Sequence, residues 1–508
     1  MDFFTSSEIS PRIFVPLGIA ATVIIYSRFT KRKHIGPLPP VVVLSDEDQF
    51  QRTREAYENA LRDYGPVIGV PRKGRLEYIT DGTYAKEVLT DDKLFSFEEG
   101  TFRILNIHFL LPLGGGALFR ELEDLVTEGI VHRLERVVSQ IYPLANKRVD
   151  KYIDQTCDKS SPNGLAENFP EFCHTTIVES AMLMTFGKDL DDKIVETVAS
   201  LEENLSDMMG IYQNIGFFSR TFPLIWKICS GLRVVFACIL PAFFFVLGPK
   251  IWASMDAFEK ADVTMKTPED EDTLLWFLAN KAIDPITNRI SFLRRVWAST
   301  LVTAFIFASV HNTTTVTIWV LYELARRPEY MEQIRTELMQ IMEHDGGSNH
   351  RLTADSLRQA VHLDSFIREV LRLKGDTLAQ ARLSTCDAPL GEYIIPKGHI
   401  VIPMSTLVNE DPKAYGDSAS KFEGFRWVND AKPAVMVGPN YVPFGLGRFA
   451  CGGRVFAVTE IKMLILLFIA KATPSLRGGK LEVVDPMNVA STAPVAELEL
   501  QKLDKPLL

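Results

Sequence analysis

Cysteine is scarce: six in 508 residues, at positions 157, 173, 229, 238, 386 and 451, with no Cys-x-x-Cys spacing. That excludes a disulfide scaffold and a cysteine zinc site, and it points to a reducing compartment. A basic excess is missing too. Lys and Arg number 55 against 64 Asp and Glu, a net charge of −9. The chain is therefore not read as a nucleic-acid binder. Internal repeats, low-complexity tracts and obvious linkers are absent from 41–508, which leaves one large domain. With 46% hydrophobic residues the chain is far from the composition of disorder.

What is present begins with two apolar runs. Ile13 to Tyr26 carries no charge over fourteen residues, short of the ~20 a spanning helix prefers. Ser27 to Phe29 extend it, with Arg28 snorkelling. Arg28, Lys31, Arg32 and Lys33 follow, whereas Arg12 before it is offset by Asp2 and Glu8. The positive-inside rule then leaves 1–12 as a short lumenal end, 13–29 as a single-pass anchor, and the bulk of the chain in the cytoplasm. Lys and Arg on the far side argue against a cleaved signal peptide. Residues 30–40, basic and then Pro-rich, read as a stiff hinge. The second run, Val234 to Leu247, has Pro241 at its centre. Proline disfavours an uninterrupted helix there, so a buried helix hairpin or a segment dipping into one leaflet is expected.

Helical periodicity covers 122–157, 171–186, 192–210, 255–265, 291–326, 328–343, 354–374 and 453–471. Strand-like runs are short: Val67–Val70, Glu77–Thr80, Ala381–Thr385, Tyr393–Ile395 and Ile400–Pro403. The fold class read here is mainly α with a small β region.

The stretch from Pro443 to Gly453 carries the chemistry. Four glycines (445, 447, 452 and 453) let backbone approach something flat and bulky. Cys451 stands just before an apolar helical segment, where backbone N–H groups and the helix dipole favour a thiolate. An axial ligand to haem iron needs such a setting.

The spacing Phe444-x-x-Gly447-x-x-x-Cys451-x-Gly453 resembles the haem-binding loop of the cytochrome P450 family. Glu369-Val370-Leu371-Arg372, placed 82 residues before the cysteine, resembles the family's Glu-x-x-Arg pair. Phe422 to Trp427 resembles the segment that supplies its third partner, Arg426. The resemblance extends over most of the chain after the anchor. It implies the cytochrome P450 fold for 41–508 and a buried charge network of Glu369, Arg372 and Arg426 that holds the loop. It also implies haem b (iron protoporphyrin IX) with Cys451 as axial ligand, and Phe444, Gly447, Arg448, Gly453 and Arg382 about the cofactor.

Three departures stand out. The basic residue usual two positions before the cysteine is Phe449, with Arg448 beside it as a substitute. The residue after the cysteine is Gly452, and no Trp-x-x-x-Arg occurs near 120–140. His108 and Arg120 are weaker candidates for the propionate contact. On the oxygen-side helix, the acid and threonine positions of the family pattern fall on His311 and Asn312, followed by Thr313. Histidine titrates near neutrality and can pass a proton.

The resemblance is strongest to fungal members in secondary metabolism. It implies a monooxygenase at the endoplasmic reticulum membrane, in contact with its lipid. Electrons would come from NADPH through cytochrome P450 reductase, and the substrate would be lipophilic, a terpenoid or steroid-like triterpenoid by analogy. Two alternatives stand beside it. Asn312 supports a reductase-independent isomerase or dehydratase on the same fold, because peroxide-rearranging members have asparagine near this position. A non-catalytic haem sensor or carrier would need a second iron ligand, for which His311 is the candidate on that helix.

Overall fold

A computed structural model describes residues 36–50, 52–106, 116–157, 163–188, 191–208, 210, 216–260, 273–344, 351–374, 378, 380–483 and 492–508. The expected lumenal end, the anchor at 13–29, the basic part of the hinge and His108 lie outside the described residues. The Pro-rich part of the hinge lies on the domain. The Pro37 carbonyl accepts from Ile394 N at 3.0 Å and the Pro40 carbonyl from Gly69 N at 2.8 Å.

A five-stranded sheet in the order β1-β2-β8-β5-β3 gathers Val67–Arg72 (β1), Arg75–Thr80 (β2), Phe95–Ser96 (β3), Arg382–Ser384 (β5) and Ile400–Pro403 (β8). β1 and β2 form a hairpin about Lys73 and Gly74, both at positive φ (51° and 75°). Such a two-residue turn matches the twist of its strands. Asn163–Leu165 (β4), Ala472–Leu476 (β9) and Leu498–Lys502 (β10) make a second sheet, and Ala388–Leu390 (β6) pairs with Tyr393–Ile395 (β7).

Helices carry the rest. Those that build the site are Ala117–Gly129 (α1), Leu134–Thr156 (α2), Phe169–Phe186 (α3), Asp192–Met208 (α4), Pro223–Lys260 (α5), Phe292–Ala325 (α6), Val361–Leu373 (α7) and Arg454–Ile469 (α8). α6 starts at Ser291, whose side chain accepts from Arg294 N, and runs through the middle of the main core. α8 is apolar around nearly its whole circumference, which suits a helix buried on all sides. The helix expected over 122–157 is two helices, because a short 3₁₀ turn at Val131–Arg133 separates α1 from α2.

The segment around Pro241 corrects the sequence reading: it forms no hairpin. α5 continues through it, with π-helical turns at Val235–Ile239 and Phe243–Leu247 on either side of the proline. A π turn relaxes the register of the ladder where proline offers no N–H, so the axis continues. Leu224, Ile225, Ile228, Leu232, Phe236, Phe244 and Phe245 on this helix are all exposed.

Candidate active site

The loop before α8 is shaped by its glycines. Gly445 and Gly447 adopt φ of 77° and 72°, and a Cβ on Gly447 would come within 2.9 Å of Thr90 Cγ2. Positive φ twice in three residues folds the chain back, and Cys451 N donates to the Phe444 carbonyl at 2.8 Å. The Cys451 side chain keeps open surface, yet protein surrounds it and burial pushes its thiol up. Open surface on an enclosed residue marks the lining of an internal space. Against burial work the backbone N–H groups of Gly453 and Arg454 and the charge of Arg454. Arg454 itself is tied down, donating to the carbonyls of Val435 at 3.1 Å and Cys451 at 2.6 Å.

Arg382 on β5 is 1% exposed. Its guanidinium donates to the carbonyls of Ala381 at 3.0 Å and Leu89 at 3.3 Å, while Nε has no partner. Among the described residues no carboxylate pairs with it at ion-pair distance, and burial pulls it down to about 10. A buried guanidinium with an orphaned N–H wants an anion. Its charge lies 4.9 Å from the Phe97 ring, and Phe97 stacks on Phe449 at 4.9 Å between centroids. The position two before the cysteine thus carries an aromatic stack. Arg448 is exposed, its guanidinium 5.5 Å from the Phe449 ring, and Arg120 is exposed on α1. An open-faced thiol, a glycine-folded loop and an unsatisfied buried guanidinium fit a flat anionic group such as haem.

Glu369, Arg372 and Arg426 meet in the interior. Glu369 accepts from Arg372 Nη2 at 2.7 Å and Nε at 3.0 Å, and from Arg426 Nε at 3.2 Å. Trp427 Nε1 at 3.2 Å and Glu423 N at 3.0 Å complete its shell. Arg372 also holds the carbonyls of Asn409, Ala419 and Lys421.

On α6, the residues from Val310 to Ala325 are buried with one exception, Asn312. One turn earlier Ala308 is exposed, with Ala304 and Phe307 half-open. Positions four apart share a face, so Ala308 and Asn312 look into open space. Thr313 is buried. His311 is buried on the flank of that face, with Nδ1 3.4 Å from Glu202 on α4. Glu202 and His174 were missed in the sequence. No spacing links them to His311, because the contact is made only when three helices pack.

Glu460 on α8 is wholly buried, and its Oε1 has no partner. Burial pushes its carboxyl up to about 8 from an ordinary 4.5, against a hydrogen bond from Ser180. The folded protein therefore holds a proton that the unfolded chain releases. Stability should fall as pH rises from about 4.5 towards 8, by about 1.4 kcal/mol per unit. Glu460→Gln should remove this slope, read as unfolding temperature at pH 6 and pH 8. A slope equal to wild type would show that the carboxyl is ionised.

The cytochrome P450 family model matches residues 37–480. Among curated proteins, the chain is 34% identical to cytochrome P450 monooxygenase 3 of Gibberella fujikuroi over 196 residues, 34% of this chain and 37% of that one. It is 28% identical to cytochrome P450 monooxygenase atmQ of Aspergillus flavus over 288 residues, 52% of this chain and 50% of that one. The chain spans between about a third and a half of the length of these curated relatives. Among solved structures, the cyanobacterial CYP120A1 with retinoic acid bound has the same fold. Its TM-score is 0.65 at 20% identity, covering 92% of this chain and 100% of that one.

Proposed function

We propose that this chain, which belongs to the cytochrome P450 family, is a membrane-anchored haem-thiolate monooxygenase acting on a lipophilic secondary metabolite. The observation that carries the proposal is an open-faced cysteine in a glycine-folded loop, with the N–H groups of Gly453 and Arg454 aimed at its sulfur. Haem b, when bound, supplies the activation of dioxygen, to which the thiolate lends electron density for O–O cleavage. The residues do the rest. Cys451 Sγ would hold the haem iron, and Phe444, Gly447 and Gly453 would form the bed for the macrocycle. Arg382 would offer its orphaned Nε–H to a propionate, with Arg448 at the solvent edge. Glu369, Arg372 and Arg426 fix the chain that leads into the loop. On the opposite side Ala304, Phe307 and Ala308 give an apolar wall that excludes water and suits a terpenoid or steroid-like triterpenoid. There Asn312 orients a water by its amide, and His311 and Thr313 hold the protons that oxygen reduction consumes.

Electrons come from NADPH through cytochrome P450 reductase. The exposed apolar face of α5 supports contact with lipid beside the anchor at 13–29, with the domain on the cytoplasmic side of the endoplasmic reticulum. A second reading, a reductase-independent isomerase or dehydratase, is favoured by Asn312 occupying the one open position of its turn. Expression with reductase in yeast, fed candidate terpenoids, separates the two. The monooxygenase reading expects product only with NADPH and reductase, from protein that stays in the membrane pellet after a carbonate wash. Product from a hydroperoxide or endoperoxide without reductant would overturn it.

A further inference from the structure

Three helices converge on one carboxylate beside the open face of α6. Glu202 Oε2 lies 2.8 Å from His174 Nε2 of α3, and Oε1 lies 3.4 Å from His311 Nδ1 of α6. Ser206, one turn along α4, donates to Oε1 at 2.9 Å. The side chain of Glu202 is 3% exposed, that of His311 10% and that of His174 23%. Burial pushes the Glu202 carboxyl up, but hydrogen bonds and charge from the two imidazoles outweigh it and hold the group down to about 2. It is a buried anion at working pH.

Among the described residues no Lys or Arg pairs with that anion at ion-pair distance. The residues of α5 that pack on α4 over 235–247 are uncharged, with only the thiol of Cys238 titratable. Arg233, also on α5, donates to Asn204 at 3.0 Å. Apolar side chains would fill this core at less cost, since a buried charge is weak as a source of stability. The anion is nevertheless kept next to the histidine that adjoins Asn312.

We propose that Glu202 is a positioning residue for proton delivery, acting through His311. Its carboxylate, 3.4 Å from Nδ1 of His311, favours the tautomer with the proton on Nδ1, in which Nε2 is the basic nitrogen that takes and gives a proton. Each time Nε2 is protonated, the imidazolium lies against a fixed negative charge. The balance closes on one atom: a proton arrives at Nε2 from solvent and leaves Nε2 for the oxygen side. The Nδ1 proton stays, and no electron passes through the group. A carboxylate orienting an imidazole from behind is a known solution in acid–base catalysis. His174 and Ser206 keep the carboxylate from rotating away. The proposal rests on the monooxygenase reading, in which oxygen reduction consumes protons supplied by the protein.

The test uses the full-length holoenzyme with reductase, comparing wild type, Glu202→Gln and Glu202→Asp. Glutamine keeps the volume but not the charge. Product per NADPH should fall about tenfold or more in Glu202→Gln, with hydrogen peroxide released instead and a larger solvent deuterium effect. Aspartate should recover most of the coupling. A second readout needs no turnover. Nitrogen NMR of labelled histidine in the reduced carbon-monoxide form, assigned by loss of a signal in His311→Gln, should show the Nδ1–H tautomer in wild type and a mixture in Glu202→Gln. Unchanged coupling in Glu202→Gln would overturn the proposal, as would the Nε2–H tautomer in wild type, whatever the variants do. Equal damage by Gln and Asp with loss of haem would make Glu202 merely structural. Wild type that forms product without NADPH would instead refute the monooxygenase reading, with the NMR result still deciding the tautomer.

Discussion

Cys451→Ser should abolish oxygenation while leaving the fold in place. Burial already opposes ionisation at this position, and the N–H groups of Gly453 and Arg454 with the Arg454 charge oppose burial. That balance can yield a thiolate on binding metal, because a thiol is acidic enough to be deprotonated by a cation. A serine hydroxyl is far less acidic and a harder donor, so the same N–H groups cannot make it an equivalent ligand. The loop itself should survive. Its shape comes from positive φ at Gly445 and Gly447 and from the bond between Cys451 N and the Phe444 carbonyl, none of which involves sulfur. The reduced carbon-monoxide spectrum should lose its thiolate band, haem content should drop, and product should fall to background. Unfolding of the haem-free protein should stay within about 1 kcal/mol of wild type. Normal turnover by this variant would end the haem-thiolate reading.

The sequence made this loop legible because its chemistry is local. Glycines, cysteine and helix start lie within eleven residues, and Glu369 and Arg372 share a helix face by their spacing alone. α6 was legible for a similar reason, since no Asp, Glu, Lys or Arg interrupts it from Val296 to Tyr322. Arrangements made by packing were not. Glu202 and His174 sit on ordinary amphipathic helices and meet His311 only when α3, α4 and α6 come together. β10 pairs with β9 and with β4, so its partners lie far away in the chain and its five residues carry no signal of their own. Phe97 acquires a role only because Phe449 stacks on it. The segment about Pro241 misled for a physical reason. A missing N–H breaks an α ladder, but the helix absorbed it by widening to π geometry on both sides. The break between α1 and α2 went unread because apolar periodicity continues through Ile130 to Arg133, although Gly129 marks a natural end.

Glu369→Ala should cost more than any surface change, and its effect should reach the loop. Five donors point at this one carboxylate: Arg372 Nε and Nη2, Arg426 Nε, Trp427 Nε1 and Glu423 N. Glu369 and Arg372 have side chains 0% exposed, and that of Arg426 is 12% exposed. Alanine would leave the guanidinium of Arg372 buried with no counter-charge and that of Arg426 with only the exposed carboxylate of Glu423, 3.1 Å away, at a cost of about 3–5 kcal/mol. That is a large part of the 5–15 kcal/mol typical of a whole domain. By contrast Asp355→Ala, which breaks the exposed pair with Arg358, should change stability by less than about 1 kcal/mol. The consequence for the cofactor follows from Asn409. Arg372 holds the Asn409 carbonyl at 3.1 Å, and Asn409 Oδ1 accepts from Val442 N at 3.0 Å at the entrance of the cysteine loop. A loosened Arg372 therefore loosens the loop through one residue. Haem per polypeptide should fall further in Glu369→Ala than the loss of unfolding free energy alone accounts for. Glu369→Gln, which keeps one acceptor oxygen but sets an NH2 donor against the remaining N–H groups and loses the charge, should fall between. Haem content and unfolding temperature equal to wild type in Glu369→Ala would mean that the charge network does not hold the loop.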